Sequence, residues 1–359
     1  MNPFKYGQVV SAEDFCPRPK LLDSIKGFIR TGQNVLIQGE RRTGKTSLIH
    51  EAVRQIRRIR LLYIDLLEIK TIEDLYRRLL RGIMSLEEKN GFINKLFKSI
   101  SHLKPTMTID PATGQPSLSL DASTKLKPDS IEGLLDMIEK ISRKKPIVVV
   151  LDEFQDVLNL KEAPETLAIL RSKIQFHTGF SYIFAGSIRN RMDEIFNHPR
   201  SAFFKSAVTI NVGAIDRERF GKFLVNKFSL GKRKINGDTS NRIFEIADYV
   251  PGDVQQLCGA LWETTSKGAG ITVDDIPQAL NLIYTRESKG YEAMLVHVTG
   301  QQLRVLNGLA TIGGKAPLSA DFLRGVGVTH PSSVKKTLDR LVQTHIIFRH
   351  EGEYKFVNP

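Results

Sequence analysis

Residues 39–46 read Gly39-Glu40-Arg41-Arg42-Thr43-Gly44-Lys45-Thr46, a full match to G-x-x-x-x-G-K-[ST]. Glycines at both ends of such a loop let backbone N–H groups curl around a phosphate, and a helix beginning there adds a favourable partial charge. A lysine at this spacing reaches β- and γ-phosphates, and the next hydroxyl is placed to ligate Mg²⁺. Lys45 and Thr46 fill those roles, with Glu40, Arg41, Arg42, Thr43 and Ser47 completing the cradle. The second candidate centre is Asp152-Glu153, after an apolar run. Asp152 would help hold the metal, and Glu153 would orient or deprotonate an attacking water. A glutamate directly after the aspartate favours hydrolysis over phosphoryl transfer to another substrate. Ser187 follows the next apolar run and could contact a γ-phosphate from the side; its plainer reading is a turn serine. Arg189, Arg191, Arg200 and Lys205 come after it, either as a source of charge for the phosphate or as a solvated basic face.

These residues need a scaffold, and the flanking pattern supplies one. Asn34–Gln38 is a short apolar run that predicts a strand before the loop, and Leu48, Ile49, Ala52 and Ile56 predict a helix after it. Leu61–Leu66, Pro146–Leu151 and Phe180–Ala185 read as buried strands, with Val208, Ile210 and Val212 as one more. Helical patterns alternate with them, which implies a mostly parallel sheet in an α/β domain. Met107 and Ile109 alternate with threonines, and Leu118 and Leu120 with serines, predicting an inserted hairpin at about 104–122. From about residue 215 the signals are helical. The expected domains are 1–214 (α/β), 215–295 (a helical lid) and 296–359.

The last segment predicts three short helices and a two-stranded hairpin, the order of a winged helix-turn-helix. Residues 299–359 carry eight Lys/Arg against four Asp/Glu. Ser332, Lys335, Lys336 and Arg340 fall on the expected recognition helix, and Arg349 and Lys355 on the wing. That arrangement suits double-stranded DNA, and equally a protein-contact module.

The whole chain of 359 residues has a net charge of +13, 41% hydrophobic and 25% charged residues. Those values exclude disordered and collagen-like classes and favour a polyanionic ligand or partner. Two cysteines far apart in sequence, Cys16 and Cys258, build neither a disulfide framework nor a Cys-based zinc site, which fits a reducing cytoplasm. No run approaches the roughly 18–20 apolar residues of a membrane span. The N-terminus lacks the pattern of a signal peptide.

Taken together, the loop, Val149-Val150-Leu151-Asp152-Glu153-Phe154-Gln155 and Gly186-Ser187 resemble the archaeal-type P-loop ATPase family of the AAA+/STAND group. The resemblance extends over nearly the whole chain and includes the inserted hairpin and the winged helix. Phe15-Cys16-Pro17-Arg18 looks like that family's F-x-x-R box, which implies that Arg18 lies near the adenine. The family's lid helix starts with Gly-x-Pro near the base; here the order is Pro251-Gly252-Asp253, so Pro251 is the implied contact. Lys205 stands where relatives often carry arginine, which gives no support to an arginine finger acting in a neighbouring chain. The resemblance implies ATP and Mg²⁺, slow hydrolysis and a molecular switch acting on DNA or a partner protein, with assembly on ATP binding allowed. The alternative is a DNA-binding regulator or initiator-like loader in which ATP only sets affinity. A small-molecule kinase leaves Glu153 and the winged helix without a task.

Overall fold

The computed structural model describes residues 1–86, 105–109, 116–120, 126–187, 189–344, 346–350 and 352–357. The chain forms two compact units, 8–214 and a second made of 1–7 with 215–359.

The first unit is built on a five-stranded parallel sheet: β1 (Val35–Gln38), β2 (Arg60–Asp65), β5 (Ile147–Asp152), β6 (Ser181–Gly186) and β7 (Val208–Asn211). Every residue of β5 is buried, as a central strand covered on both faces requires. Ile147, Val149 and Leu151 pack into one core with Leu62, Ile64, Tyr182 and Phe184. Val148 and Val150 pack into the other with Val35, Ile37, Ile183 and Ala185. The first core is closed by α3 (Ile72–Ser85), α4 (Glu132–Ser142) and α5 (Ala163–Ile174), the second by α1 (Pro19–Thr31) and α2 (Lys45–Arg54). The strand order is β2-β5-β6-β1-β7. β1 therefore sits between β6 and β7, and the chain leaves it for the far edge. That is a switch point of the sheet, where α/β folds open a crevice at the carboxyl ends of the strands. The inserted hairpin pairs β3 (Pro105–Ile109) antiparallel with β4 (Pro116–Leu120); its connection, 110–115, lies outside the described residues. A short helix α6 (Arg189–Phe196) follows β6.

The second unit carries α7 (Arg217–Ser229), α8 (Gly237–Ile246), α9 (Pro251–Thr264) and α10 (Ile276–Leu295). It also holds a two-residue parallel pair, β8 (Lys234–Ile235) with β9 (Gly270–Ile271), which the helical pattern does not announce. Residues 1–7, expected with the α/β domain, pack here instead. The Phe4 ring lies 4.6 Å from Phe228, and Asn2 Nδ2 donates to the Gly259 carbonyl at 3.0 Å. The C-terminal part has α11 (Gly300–Thr311), α12 (Ala320–Val326), α13 (Pro331–Gln343) and a hairpin, β10 (Ile347–His350) with β11 (Glu353–Phe356). Val305, Leu309, Phe322, Val334, Leu338 and Ile347 share its core. Tyr354 N–H donates to the Gly314 carbonyl at 3.0 Å, tying the wing to the turn after α11.

Candidate functional site

The loop after β1 ends in Gly44 at φ +84°, and α2 begins at Lys45 with no side-chain cap. By contrast, α3 opens with a full capping box of Thr71 and Asp74. An uncapped helix start leaves its first N–H groups without intrahelical partners and free to point at an anion. Thr43 Oγ1 donates to the Glu40 carbonyl at 2.8 Å and braces the loop from inside. Lys45 is buried, and its Nζ donates to the carbonyls of Gly39 (3.0 Å) and Glu40 (2.9 Å). An ammonium has three N–H donors, so one remains for a phosphate oxygen. Burial pulls the Lys45 pKa down, while Glu153 and Asp152 pull it up.

The two halves expected from sequence meet. Thr46 Oγ1 donates to Asp152 Oδ2 at 2.9 Å. The Asp152 carboxylate also accepts from Tyr63 O–H on Oδ2 at 2.6 Å and from the Glu153 N–H on Oδ1 at 3.0 Å. Burial first, then Asp152, pushes the Tyr63 phenol well above its ordinary pKa. Glu153 takes a left-handed conformation at φ +49° as the chain leaves β5 for the 3₁₀ turn Phe154–Asn159. Its Oε2 accepts from the Ser187 hydroxyl at 2.8 Å and from the Gln155 side-chain amide. Ser187 therefore belongs to the same cluster as Glu153. Tyr63 is signalled by no sequence spacing, and Gln155, part of the 149–155 motif, carries no assigned role there.

Arg18, implied to lie near the base, is buried with both terminal guanidinium nitrogens engaged. Nη2 donates to the Thr43 carbonyl at 2.7 Å and Nη1 to the Gly213 carbonyl at 3.0 Å. Burial lowers its pKa to about 10, so it stays charged at neutral pH. The segment before it rests on α2: the Val10 N–H donates to Ser47 Oγ at 3.1 Å and the Ala12 N–H to Glu51 Oε2 at 3.0 Å. Pro251 belongs to the other unit, at the first turn of α9. Among the basic residues after β6, Arg191 is engaged with Asp156 (3.5 Å) and Asn159 (2.8 Å). Lys205 lies over the Phe204 ring, Arg200 is exposed, and the Arg189 side chain lies outside the described residues. Arg41 and Arg42 flank the loop tip, Arg42 at φ +61°.

The donor set fits magnesium and a nucleotide. Mg²⁺ is commonly held by one or two protein oxygens plus substrate phosphates, rather than by an all-protein cage. Among the described residues no group of three or more His, Cys, Asp or Glu converges into such a cage, and Thr46 with Asp152 supplies the smaller set.

On the winged helix, Ser332, Lys335, Lys336, Arg340 and Arg349 are exposed. Lys355 is placed otherwise: its Nζ lies 2.7 Å from Asp248 Oδ2. No described helix is long and apolar enough to cross a membrane.

Residues 29–192 match the family described as an AAA domain, and residues 289–358 the family described as a probable winged helix domain. No curated protein sequence matches the chain. Among solved structures, the Walker-type ATPase PABY2304 of Pyrococcus abyssi aligns with a TM-score of 0.67 at 18% identity, covering 99% of this chain and 97% of that one. The ORC2 protein of Aeropyrum pernix, solved as ADPNP–ADP complexes, aligns at 0.55 and 12% identity over 99% and 95%. The ORC1 protein of Aeropyrum pernix, solved in complex with DNA, aligns at 0.52 and 13% identity over 96% and 92%.

Proposed function

We propose that this chain, an AAA-type P-loop protein with a C-terminal winged helix domain, is a slow ATPase that works as a molecular switch. The observation that carries this reading is the 2.9 Å contact between Thr46 Oγ1 and Asp152 Oδ2, which joins the phosphate loop to the acidic strand end. Thr46 commits its proton to Asp152 and so turns oxygen lone pairs toward a metal. Bound Mg²⁺ would neutralise charge on the β- and γ-phosphate oxygens. Lys45 contributes its remaining N–H to the same oxygens. Glu153 is anchored through Oε2 by Ser187 and Gln155, so the other carboxylate oxygen is the one to take a proton from water.

Phosphate release from ATP and Mg²⁺ tests the reading. Glu153→Gln should stop release and keep nucleotide bound; unchanged turnover would remove Glu153 from the base role. Lys45→Ala should lose nucleotide, and normal ATP binding by that variant would overturn the loop assignment.

DNA is the output that the surface favours, because the helix and wing expose Lys335, Lys336, Arg340 and Arg349. The likeness to an ORC1 protein solved with DNA supports the same reading. Binding of duplex DNA by the full chain, with and without ATP, is the direct test. No binding at low salt would move the winged helix to a protein partner. ATP-dependent DNA binding without detectable turnover would favour the second reading, in which ATP only sets affinity.

A further inference from the structure

We propose that Tyr63 is a positioning residue for the metal half of this site, its hydroxyl fixing the Asp152 carboxylate so that Thr46 presents its oxygen outward. The proposal rests on the reading of 39–46 and Asp152 as a Mg²⁺·nucleotide site.

The placement follows from strand register. β2 pairs with β5 so that Tyr63 faces Val150 and Asp65 faces Asp152. Tyr63 and Asp152 are thus diagonal neighbours on one face, the face that α2 covers. A long aromatic side chain can reach such a diagonal neighbour on the next strand, and a short one cannot. The phenol closes that gap and donates to Oδ2 at 2.6 Å. From the other side, α2 holds the ring in place. His50 lies one turn after Thr46 on the same helix face, and its ring centroid is 5.3 Å from that of Tyr63. One helix face therefore carries both the metal-ligand hydroxyl and the residue that packs against Tyr63.

The effect on Asp152 is geometric. A carboxylate at a strand end turns about its last torsion unless both oxygens are held. Here Oδ1 is held by the Glu153 N–H and Oδ2 by two hydroxyls. Without the phenol, Thr46 is the remaining side-chain donor on Oδ2 among these contacts, and the two can rotate together. Phenylalanine would fill the same space in β2, so the hydroxyl and not the ring carries the role.

Groups that orient metal ligands in this way typically contribute about 10- to 100-fold to metal affinity. The test is Tyr63→Phe in the full chain, with ATP affinity measured by calorimetry in EDTA and in Mg²⁺, and Mn²⁺ binding to the ATP complex measured by electron paramagnetic resonance. The expected result is an unchanged affinity in EDTA and a metal-dependent gain at least about 10-fold smaller than in the wild type. A full metal-dependent gain would overturn the proposal. A wild-type chain that binds ATP equally with and without metal would instead overturn the site reading beneath it. Should Tyr63→Phe fail to fold, His50→Ala decides: it keeps the hydroxyl and removes its packing partner. It is expected to lose metal dependence in the same sense, and full retention would count against the role.

Discussion

Gly39→Ala tests whether the first glycine of the loop is there for space. Gly44 takes φ +84°, which explains a glycine by conformation alone; Gly39 is not among the residues with positive φ. A Cβ on Gly39 would instead lie 2.2 Å from the Val212 carbonyl oxygen, where ordinary contact begins at 3.4 Å. About 1.2 Å must be recovered, and the obstacle is backbone that cannot rotate away. The Val212 N–H donates to the Gln38 carbonyl at 2.8 Å, and the next residue, Gly213, accepts from Arg18. Displacing this strand end costs about 1–3 kcal/mol for overpacking. It adds about 1–3 kcal/mol if one buried polar group is left unmade. The sum is about 2–6 kcal/mol, or a Tm lower by roughly 4–24 °C at about 2–4 °C per kcal/mol for a unit of this size. The assay is thermal unfolding followed by circular dichroism, with ATP affinity measured on the same samples. Gly27→Ala is the control: beyond its chain neighbours and its own helix backbone, no heavy atom lies within 4 Å of its Cβ, and alanine in a helix interior should add about 0.5–1 kcal/mol. A Gly39→Ala protein that melts within about 2 °C of wild type and binds ATP equally would refute the reasoning.

Ser187→Ala removes the hydroxyl on Glu153 Oε2. Turnover should fall about 10-fold with ATP affinity kept, since only the base is loosened; a fall in affinity alone would place Ser187 on the nucleotide instead. Arg54 first, with the Ala12 N–H and Gln55, holds the Glu51 carboxyl at about 2 against an ordinary 4.5. Because the folded value is the lower one, its stabilisation is complete above pH 4.5 and is lost as pH falls towards 2. Urea midpoints of Glu51→Gln should therefore lie below wild type at neutral pH and converge with it in acid. On the winged helix, Lys336→Ala or Arg340→Ala should each reduce the salt slope of DNA binding by about 1. Lys355→Ala should reduce it less, because that ammonium already faces Asp248; equal losses would refute the distinction.

The phosphate loop was legible because its chemistry is contiguous: eight neighbouring residues carry the glycines, the ammonium and the hydroxyl together. Asp152 and Glu153 were legible for a related reason, since an apolar run that ends in carboxylates marks the mouth of a buried strand. What spacing cannot give is a partner reached across the sheet. Tyr63 meets Asp152 across 89 positions, and Arg18 meets Gly213 across 195. Each contact depends on register and strand order, which a run of apolar residues leaves open. Tyr63 did leave a trace, because a tyrosine inside a buried run needs an acceptor for its hydroxyl. Residues 1–7 left none: Phe4 reads the same whether it packs beside β1 or, as it does, against Phe228. Lys355 shows the same limit on a surface, where a basic wing residue is drawn to Asp248 rather than left open.

Arg18 joins two parts of the first unit that sequence keeps apart. Its guanidinium spans the Thr43 carbonyl in the phosphate loop and the Gly213 carbonyl, and the next residue, Ala214, is the last of that unit. A lysine would offer one nitrogen where the guanidinium offers two, held apart in a rigid planar fork with one on each carbonyl. Burial makes the link costly to break, because losing it would strand a desolvated cation and two carbonyls together. A shift of Thr43 must either carry the Arg18 guanidinium with it or give up the bond to the Thr43 carbonyl. The segment just ahead of Arg18 is itself pinned to α2 through Ser47 and Glu51. The chain passes between the two units at 7–8 and at 214–215, and both passages begin from residues tied to the phosphate loop or its helix. The phosphate loop and its helix are therefore hydrogen-bonded to the segments that lead to both points where the chain leaves this unit.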